Sequence, residues 1–253
     1  MANIKVSIIN ESTVLDDSHV SAAVTDLQTQ VHTDFAAAWG VDADLTFVPK
    51  GASPARGSWW LAVLDDTDQA NALGYHDLTS EGLPEGKVFA GTDLKLKLQW
   101  TVTASHELLE MLADPDIDLA AVQSDPSTGN PTRLYAYEVC DACEDDQFGY
   151  TVGKTLVSDF VFPSWFESFW SPGGAQFDQR SNKIHQAFQI LAGGYIGVLD
   201  LPSGSGWYTI NAEGRPWEYR MRAPVGSRRE RRRTPRSHWL RSKPRQKSHK
   251  KGQ

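Results

Sequence analysis

The segment "TASHELLEMLADPD", residues 103–116, predicts an amphipathic helix with an unusual polar face. We expect the helix to run from about residue 95 to residue 113, because Pro115 forbids further regular helix. At about 100° per residue, apolar side chains cover one half of the helical wheel. The other side carries one histidine and three carboxylates, namely His106, Glu107, Glu110 and Asp114.

The spacing of these polar residues fits metal chemistry. Two ligands four residues apart on a rigid helix can hold one cation, and a carboxylate directly after the first ligand lies beside the cation without binding it. His106 and Glu110 are then the metal ligands, and Glu107 is the general base that takes a proton from a water activated by the metal. A third protein ligand must come from elsewhere in the chain.

A simpler interpretation is that this face is solvated. Glutamate and leucine are good helix formers, and carboxylates on an exposed helix face need no further explanation. However, acids at the C-terminal end of a helix oppose its dipole, which costs a little free energy unless a cation lies nearby.

Hydrophobic patterning along the chain predicts an α+β fold, with helices packed on one mixed β-sheet and a β-rich C-terminal half. A strand over residues 3–9 is followed by a helix with Ser18 as its N-cap and Gly40 at its end. Four further strand-like segments precede the helix at residue 95. Residues 119–133 have the composition of a loop, and segments 133–140 and 149–163 are expected to be strands that pair with each other.

Three segments in order, "ASHELLEMLADP" (104–115), "YEVCDACED" (137–145) and "VSDFVFPSWF" (157–166), resemble a family of variant zincin-like metallopeptidases. In that family glutamate replaces the second histidine of the zinc-protease helix, giving an HExxE motif. The resemblance implies a zincin-like active-site helix and a metal-dependent hydrolase that acts on a peptide or protein substrate. It also implies Glu138 or Asp141 as the third ligand, with Asp114 as a rival. The metal is expected to be zinc, with calcium or manganese as alternatives or no metal at all.

The remaining candidate residues have structural interpretations. Cys140 and Cys143 are the only cysteines, too few for a disulfide framework or a zinc ribbon, and we expect two partly buried thiols. Trp165 and Phe166 are expected in the core, with a substrate-groove wall as the alternative. His76 is isolated in the sequence and is not assigned to the site.

The charge is distributed unevenly. Residues 220–253 hold 14 of the 25 Lys and Arg residues and one acid, and the remainder of the chain holds 11 basic and 31 acidic residues. We therefore expect a globular domain over residues 1–219 and a disordered basic tail over 220–253 that binds nucleic acid or another polyanion. The alternative function is a non-catalytic assembly protein, associated with a virion or another particle, that uses this tail.

The N-terminus has the pattern of a strand rather than of a signal peptide. No run of about 18 apolar residues is present, so no transmembrane segment is expected. These features predict a cytoplasmic or particle-associated protein.

Overall fold

A computed structural model describes residues 4–67, 72–180, 182–204, 206–213 and 216–217. Helices pack on a mixed β-sheet and the C-terminal half is rich in strands, which confirms the α+β prediction. The predicted tail, residues 220–253, and its boundary at residue 219 lie outside the described residues. In the part of the chain that the structure describes, no helix has both the length and the apolar character needed to cross a membrane.

Five strands of the N-terminal half form the first sheet, in the order β2-β1-β3-β5-β4. Every pairing is parallel except β4 with β5, which is antiparallel. The interior strands β1, β3 and β5 are almost wholly buried, as expected for a sheet covered on both faces, and β5 buries Glu85 and Lys87 as well as apolar residues. The strands are β1 (Ile4–Asn10), β2 (Ala43–Val48), β3 (Trp59–Leu64), β4 (Gly74–Leu78) and β5 (Pro84–Phe89).

The first helical region follows β1. Helix α1 (Asp17–Thr29) continues through a π-helical turn (Gln30–Phe35) into the short α2 (Ala36–Trp39). The N-cap is Asp16, whose side chain accepts a hydrogen bond from the backbone N–H of His19, so the prediction of Ser18 was wrong by two residues. The end at Gly40 is confirmed, since this residue has φ +68°, a left-handed conformation that favours glycine.

The helix expected from residue 95 is divided into α3 (Ala90–Leu96) and α4 (Trp100–Ala113). Lys97 ends α3 in a left-handed conformation with φ +61°, and its N–H bonds to the carbonyls of Asp93 and Leu94. The chain then re-enters a helix at Trp100, so the predicted start was wrong. The predicted end at Ala113 is confirmed.

The C-terminal half forms a second sheet in the order β12-β11-β10-β7-β6, together with the hairpin β8-β9. Residues 119–133 are not a simple loop, because β6 and β7 pair across a turn held by the Asp125 side chain. Strand β7 also pairs with β10, while β8 and β9 pair with each other, so the predicted pairing of segments 133–140 and 149–163 was wrong. The strands are β6 (Ala120–Ser124), β7 (Pro131–Ala136), β8 (Tyr150–Val152), β9 (Thr155–Val157), β10 (Tyr195–Asp200), β11 (Trp207–Asn211) and β12 (Pro216–Trp217).

One apolar core joins α1, α4, the first sheet and the C-terminal half. Trp165 and Phe166 lie within it, which agrees with the core interpretation of these aromatics. Cys140 and Cys143 are free thiols and are fully buried rather than partly buried.

Hydrogen bonds between polar groups also cross this core. Ser105 of α4 donates to the Gln30 side-chain carbonyl over 2.7 Å, and the Gln30 amide donates to the carbonyl of Ser158 over 2.9 Å.

Asp93 should make the stability of the fold pH-dependent. Burial raises the pKa of its carboxyl to about 7, against a hydrogen bond from Thr103 that lowers it. The folded state therefore holds this proton more tightly than the unfolded state, whose carboxyl titrates near pH 4. The contribution of this proton to the free energy of unfolding is fully present below pH 4 and is lost as the pH rises through about 7.

We expect Asp93→Asn to reduce the dependence of the free energy of unfolding on pH. The wild type should lose on the order of 1–3 kcal/mol relative to the variant between pH 4 and pH 8. Urea unfolding across this range measures the difference, and Asp118→Asn, at an exposed position, is the control. Parallel profiles for wild type and Asp93→Asn would contradict the assignment.

Candidate metal centre

The polar face of α4 is buried. His106 and Glu107 are each 6 % exposed, Glu110 is 3 % exposed and Asp114 is fully buried. Strands β4 and β5 pack against this helix from the first sheet. The solvated-face interpretation is therefore wrong, and the charges of this face must be compensated inside the protein.

Strand β4 brings a second histidine to the helix. His76 Nδ1 lies 3.3 Å from Glu107 Oε2 and 3.7 Å from Glu110 Oε2. Its other ring nitrogen, Nε2, lies 3.4 Å from Glu138 Oε2. His76 therefore lies between two carboxylates of α4 and the carboxylate that follows β7.

Glycines allow this close approach. A Cβ on Gly74 would lie 2.7 Å from Glu107 Oε1 and 2.8 Å from both Glu107 Cγ and the Lys87 carbonyl oxygen. Gly86 pairs with His76 in the β4–β5 register, and a Cβ there would lie 3.7 Å from Glu107 Cβ. The absence of a side chain at Gly74 leaves the space that Glu107 occupies, whereas at Gly86 it makes room for Leu61, whose Cδ1 would lie 2.6 Å from an added Cβ.

His106 faces a different pair of carboxylates. Its Nε2 atom lies 3.2 Å from Glu110 Oε2 and 3.3 Å from Asp141 Oδ1. Asp141 is placed by the 3₁₀ turn Asp141–Cys143, and the backbone N–H of Cys140 donates to Glu110 Oε1 over 3.1 Å. This bond occupies one carboxylate oxygen of Glu110 and leaves Oε2 facing both histidines.

Two groups of side chains have potential ligand atoms that all lie within 4.8 Å of one another. One group is His106, Glu110 and Cys140, and the other is His76, Glu107 and Glu110. Both groups are fully buried and they share Glu110. The structure thus brings His106, Glu107 and Glu110 together as the sequence predicted, and adds His76 and Cys140.

The three residues predicted as possible third metal ligands lie at different places around the site. Asp141 lies beside His106, whereas Glu138 lies on the far side of His76. The carboxylate of Asp114 accepts hydrogen bonds from the backbone N–H groups of Asp118 and Leu119, each over 3.1 Å. Asp114 thus holds the turn after α4, and neither of the two ligand groups found among the described residues includes it.

The buried carboxylates of this site stabilise positive charge and protonated groups beside them, as the pKa shifts of their neighbours indicate. Burial disfavours the charged imidazolium of His106, but Glu110 and the hydrogen bond with Asp141 outweigh it and hold the pKa of His106 well above its usual range. Burial and the charge of Glu110 raise the pKa of Asp141. Burial, together with Asp141 and Glu144, raises the pKa of Tyr195 well above its usual range, so its hydroxyl stays protonated and donates a hydrogen bond to Asp141.

The distances are compatible with a bound metal ion as well as with ion pairs. Charge-assisted N–H···O bonds are usually about 2.7–2.9 Å long, whereas His106 Nε2 lies 3.2 Å and 3.3 Å from its two carboxylate oxygens. Ligand bonds of about 2.0 Å in a tetrahedral site place neighbouring ligand atoms about 3.3 Å apart. The imidazole and carboxylate donors also suit zinc and other divalent cations.

The sequence matches no protein-family model, and no match was found among curated proteins or among solved structures. The resemblance to HExxE metallopeptidases therefore stays a prediction.

Gly74→Ala tests the packing of Glu107 against β4. We expect the added methyl group to lower the free energy of unfolding by about 1–3 kcal/mol, because it overlaps Glu107 and the Lys87 backbone. The matched control is Gly197→Ala in β10, where the Cβ would meet only the Ala136 Cβ at 3.3 Å. Urea unfolding measures both variants. Adding Glu107→Ala to Gly74→Ala should recover part of the loss, and equal losses for the two glycine variants would contradict this placement of Glu107.

Proposed function

We propose that this protein is a metal-dependent hydrolase. The observation that carries the proposal is the arrangement of His106 and Glu110 on one buried face of α4, with Asp141 opposite and the Glu107 carboxylate alongside. His106 Nε2 and Glu110 Oε2 are the proposed ligands, with Asp141 Oδ1 as one candidate for the third position because it lies 3.3 Å from His106 Nε2, although neither ligand group among the described residues includes it. Cys140 is the rival for the third position, because its sulfur lies within 4.8 Å of the ligand atoms of His106 and Glu110.

A divalent cation at this position would acidify a water molecule and polarise a substrate carbonyl. Glu107 supplies the base. Its carboxylate lies within 4.8 Å of the ligand atom of Glu110, which is close enough to take a proton from a water placed between them. His76 holds Glu107 Oε2 at 3.3 Å and so restricts the direction in which this carboxylate points.

Tyr195 provides a neutral hydrogen-bond donor at the same site. Its phenol stays protonated in this acidic environment and is bonded to Asp141. The low exposure of the surrounding residues keeps bulk water out, which strengthens each electrostatic interaction inside.

The metal and substrate follow from the donor set and the resemblance. Zinc is our first choice for a site with histidine and carboxylate ligands, and calcium or manganese are the alternatives because carboxylates outnumber imidazoles. The peptide class of substrate is supported only by the resemblance of the segments at 104–115, 137–145 and 157–166 to HExxE metallopeptidases.

The test separates metal binding from turnover. Wild-type protein, dialysed after zinc loading, should retain at least one zinc per chain by plasma mass spectrometry, and Glu110→Gln should lose it because Glu110 belongs to both ligand groups. Glu107→Gln should retain the zinc ion held by His106 and Glu110 and should lower hydrolysis of a peptide library by at least about 100-fold, since the general base is lost. The exposed Glu213→Gln is the control for both measurements.

Two results would contradict the hydrolase. One is a wild-type protein without metal after reconstitution with zinc, calcium and manganese. The other is full peptide hydrolysis by Glu107→Gln.

A second candidate function rests on the charge distribution, which places 14 Lys and Arg residues and one acid in residues 220–253. We propose that this segment binds a polyanion and that the protein serves as an assembly or particle component. Phosphate contacts of basic side chains release counterions, so affinity should fall steeply with salt.

This function predicts a large effect of the "RRERRR" run, residues 228–233. Replacing its five arginines by glutamine in the full chain should weaken binding to duplex DNA and reduce the salt slope of log K by up to about 4.5, at about 0.9 per lost contact. Fluorescence anisotropy between 50 and 300 mM salt measures both quantities, and zinc content serves as the control. Binding that is unchanged in the variant would exclude this role for the run.

A further inference from the structure

His76 and its neighbours form a second candidate ligand set that the hydrolase proposal does not use for metal binding. The ligand atoms of His76, Glu107 and Glu110 all lie within 4.8 Å of one another and all three residues are buried. His76 Nδ1 lies 3.3 Å from Glu107 Oε2, again close to the edge of a tetrahedral site with bonds of about 2.0 Å. This set shares only Glu110 with the set that contains His106.

The cluster holds enough negative charge for more than one divalent cation. Four buried carboxylates surround the two imidazoles, namely Glu107, Glu110, Glu138 and Asp141. Each divalent ion would offset two carboxylate charges, so this set offers compensation for two ions inside the protein.

Glu138 has the position of an orienting residue. It lies 3.4 Å from Nε2 of His76, on the ring edge opposite Nδ1. Histidines that ligate metals usually donate their other ring N–H to a carboxylate, which fixes the tautomer and the ring orientation. Glu138 thus prepares the Nδ1 atom of His76 to act as a ligand, rather than completing the His106 set as the sequence resemblance implied.

We propose that His76 Nδ1, Glu107 and Glu110 form a second divalent-cation site, joined to the His106 site through the shared Glu110 carboxylate. Paired ions in such centres lie about 3.5–4 Å apart, a span that one bridging carboxylate covers. The proposal rests on the proposed function only for the ion at His106. A carboxylate that ligates an ion cannot also accept a proton, so Glu107 is the base in the one-ion state and a ligand in the two-ion state.

Zinc titration of the metal-free full chain tests the second site. Native mass spectrometry should show two zinc ions on the wild type and one on His76→Gln. His106→Gln should also retain one ion, held at the His76 site, and the double variant should retain none. His185→Gln is the matched control, since His185 is exposed, and it should bind two ions.

Glu138→Gln provides an independent test that leaves every ligand in place. It should weaken the second ion by about 10- to 100-fold and leave the affinity of the first unchanged. This measurement decides the question if circular dichroism shows that His76→Gln does not fold.

The outcomes separate this proposal from the hydrolase. One ion on both the wild type and His76→Gln would overturn the second site and leave the hydrolase standing. Two ions on both would overturn the assignment of His76 as a ligand. No ion on any variant would overturn both proposals.

Discussion

The constraint on which the rest of the structure depends is the burial of both faces of α4. Its apolar half belongs to the main core, and its polar face, with His106, Glu107 and Glu110, is almost equally hidden from solvent. Each ionised carboxylate removed from water costs several kcal/mol unless it gains a partner. The elements around the helix supply these partners. Strand β4 supplies His76, and the turn after β7 supplies a backbone N–H to Glu110.

The chain also carries the small residues that this packing requires. Gly74 leaves room for Glu107 beside β4, and Gly86 leaves room for Leu61 of β3. Gly194 lets the start of β10 approach the Asp141 turn, because a Cβ there would lie 2.7 Å from the Ala142 carbonyl oxygen and 2.8 Å from that of Asp141. On the opposite side, Ser105 donates to Gln30 inside the core and fixes the rotation of α4 about its axis. Rotation of the helix would therefore break a buried hydrogen bond as well as separate the charged groups.

The position of Glu110 connects the two proposals. One oxygen of its carboxylate is held by the Cys140 N–H, and the other faces His106 at 3.2 Å and His76 at 3.7 Å. A single carboxylate thus belongs to both ligand groups. The charges of Glu110 and the hydrogen bond with Asp141 hold the pKa of His106 high despite burial, and the protonated ring offsets part of their negative charge. The proposed divalent cation would take over this role.

The sequence by itself determined the local elements and the candidate site residues of α4. Apolar periodicity located the strands of the first sheet and the end of α4, and the four-residue spacing placed His106 beside Glu110, because both signals depend only on neighbours along the chain. The tertiary structure alone decided which faces are buried, since a polar helix face looks the same in sequence whether water or a strand covers it. It also decided that His76 joins Glu107, 31 residues later in the chain, and that β7 pairs with β10. These contacts depend on strand register and packing between distant segments, which no local pattern encodes.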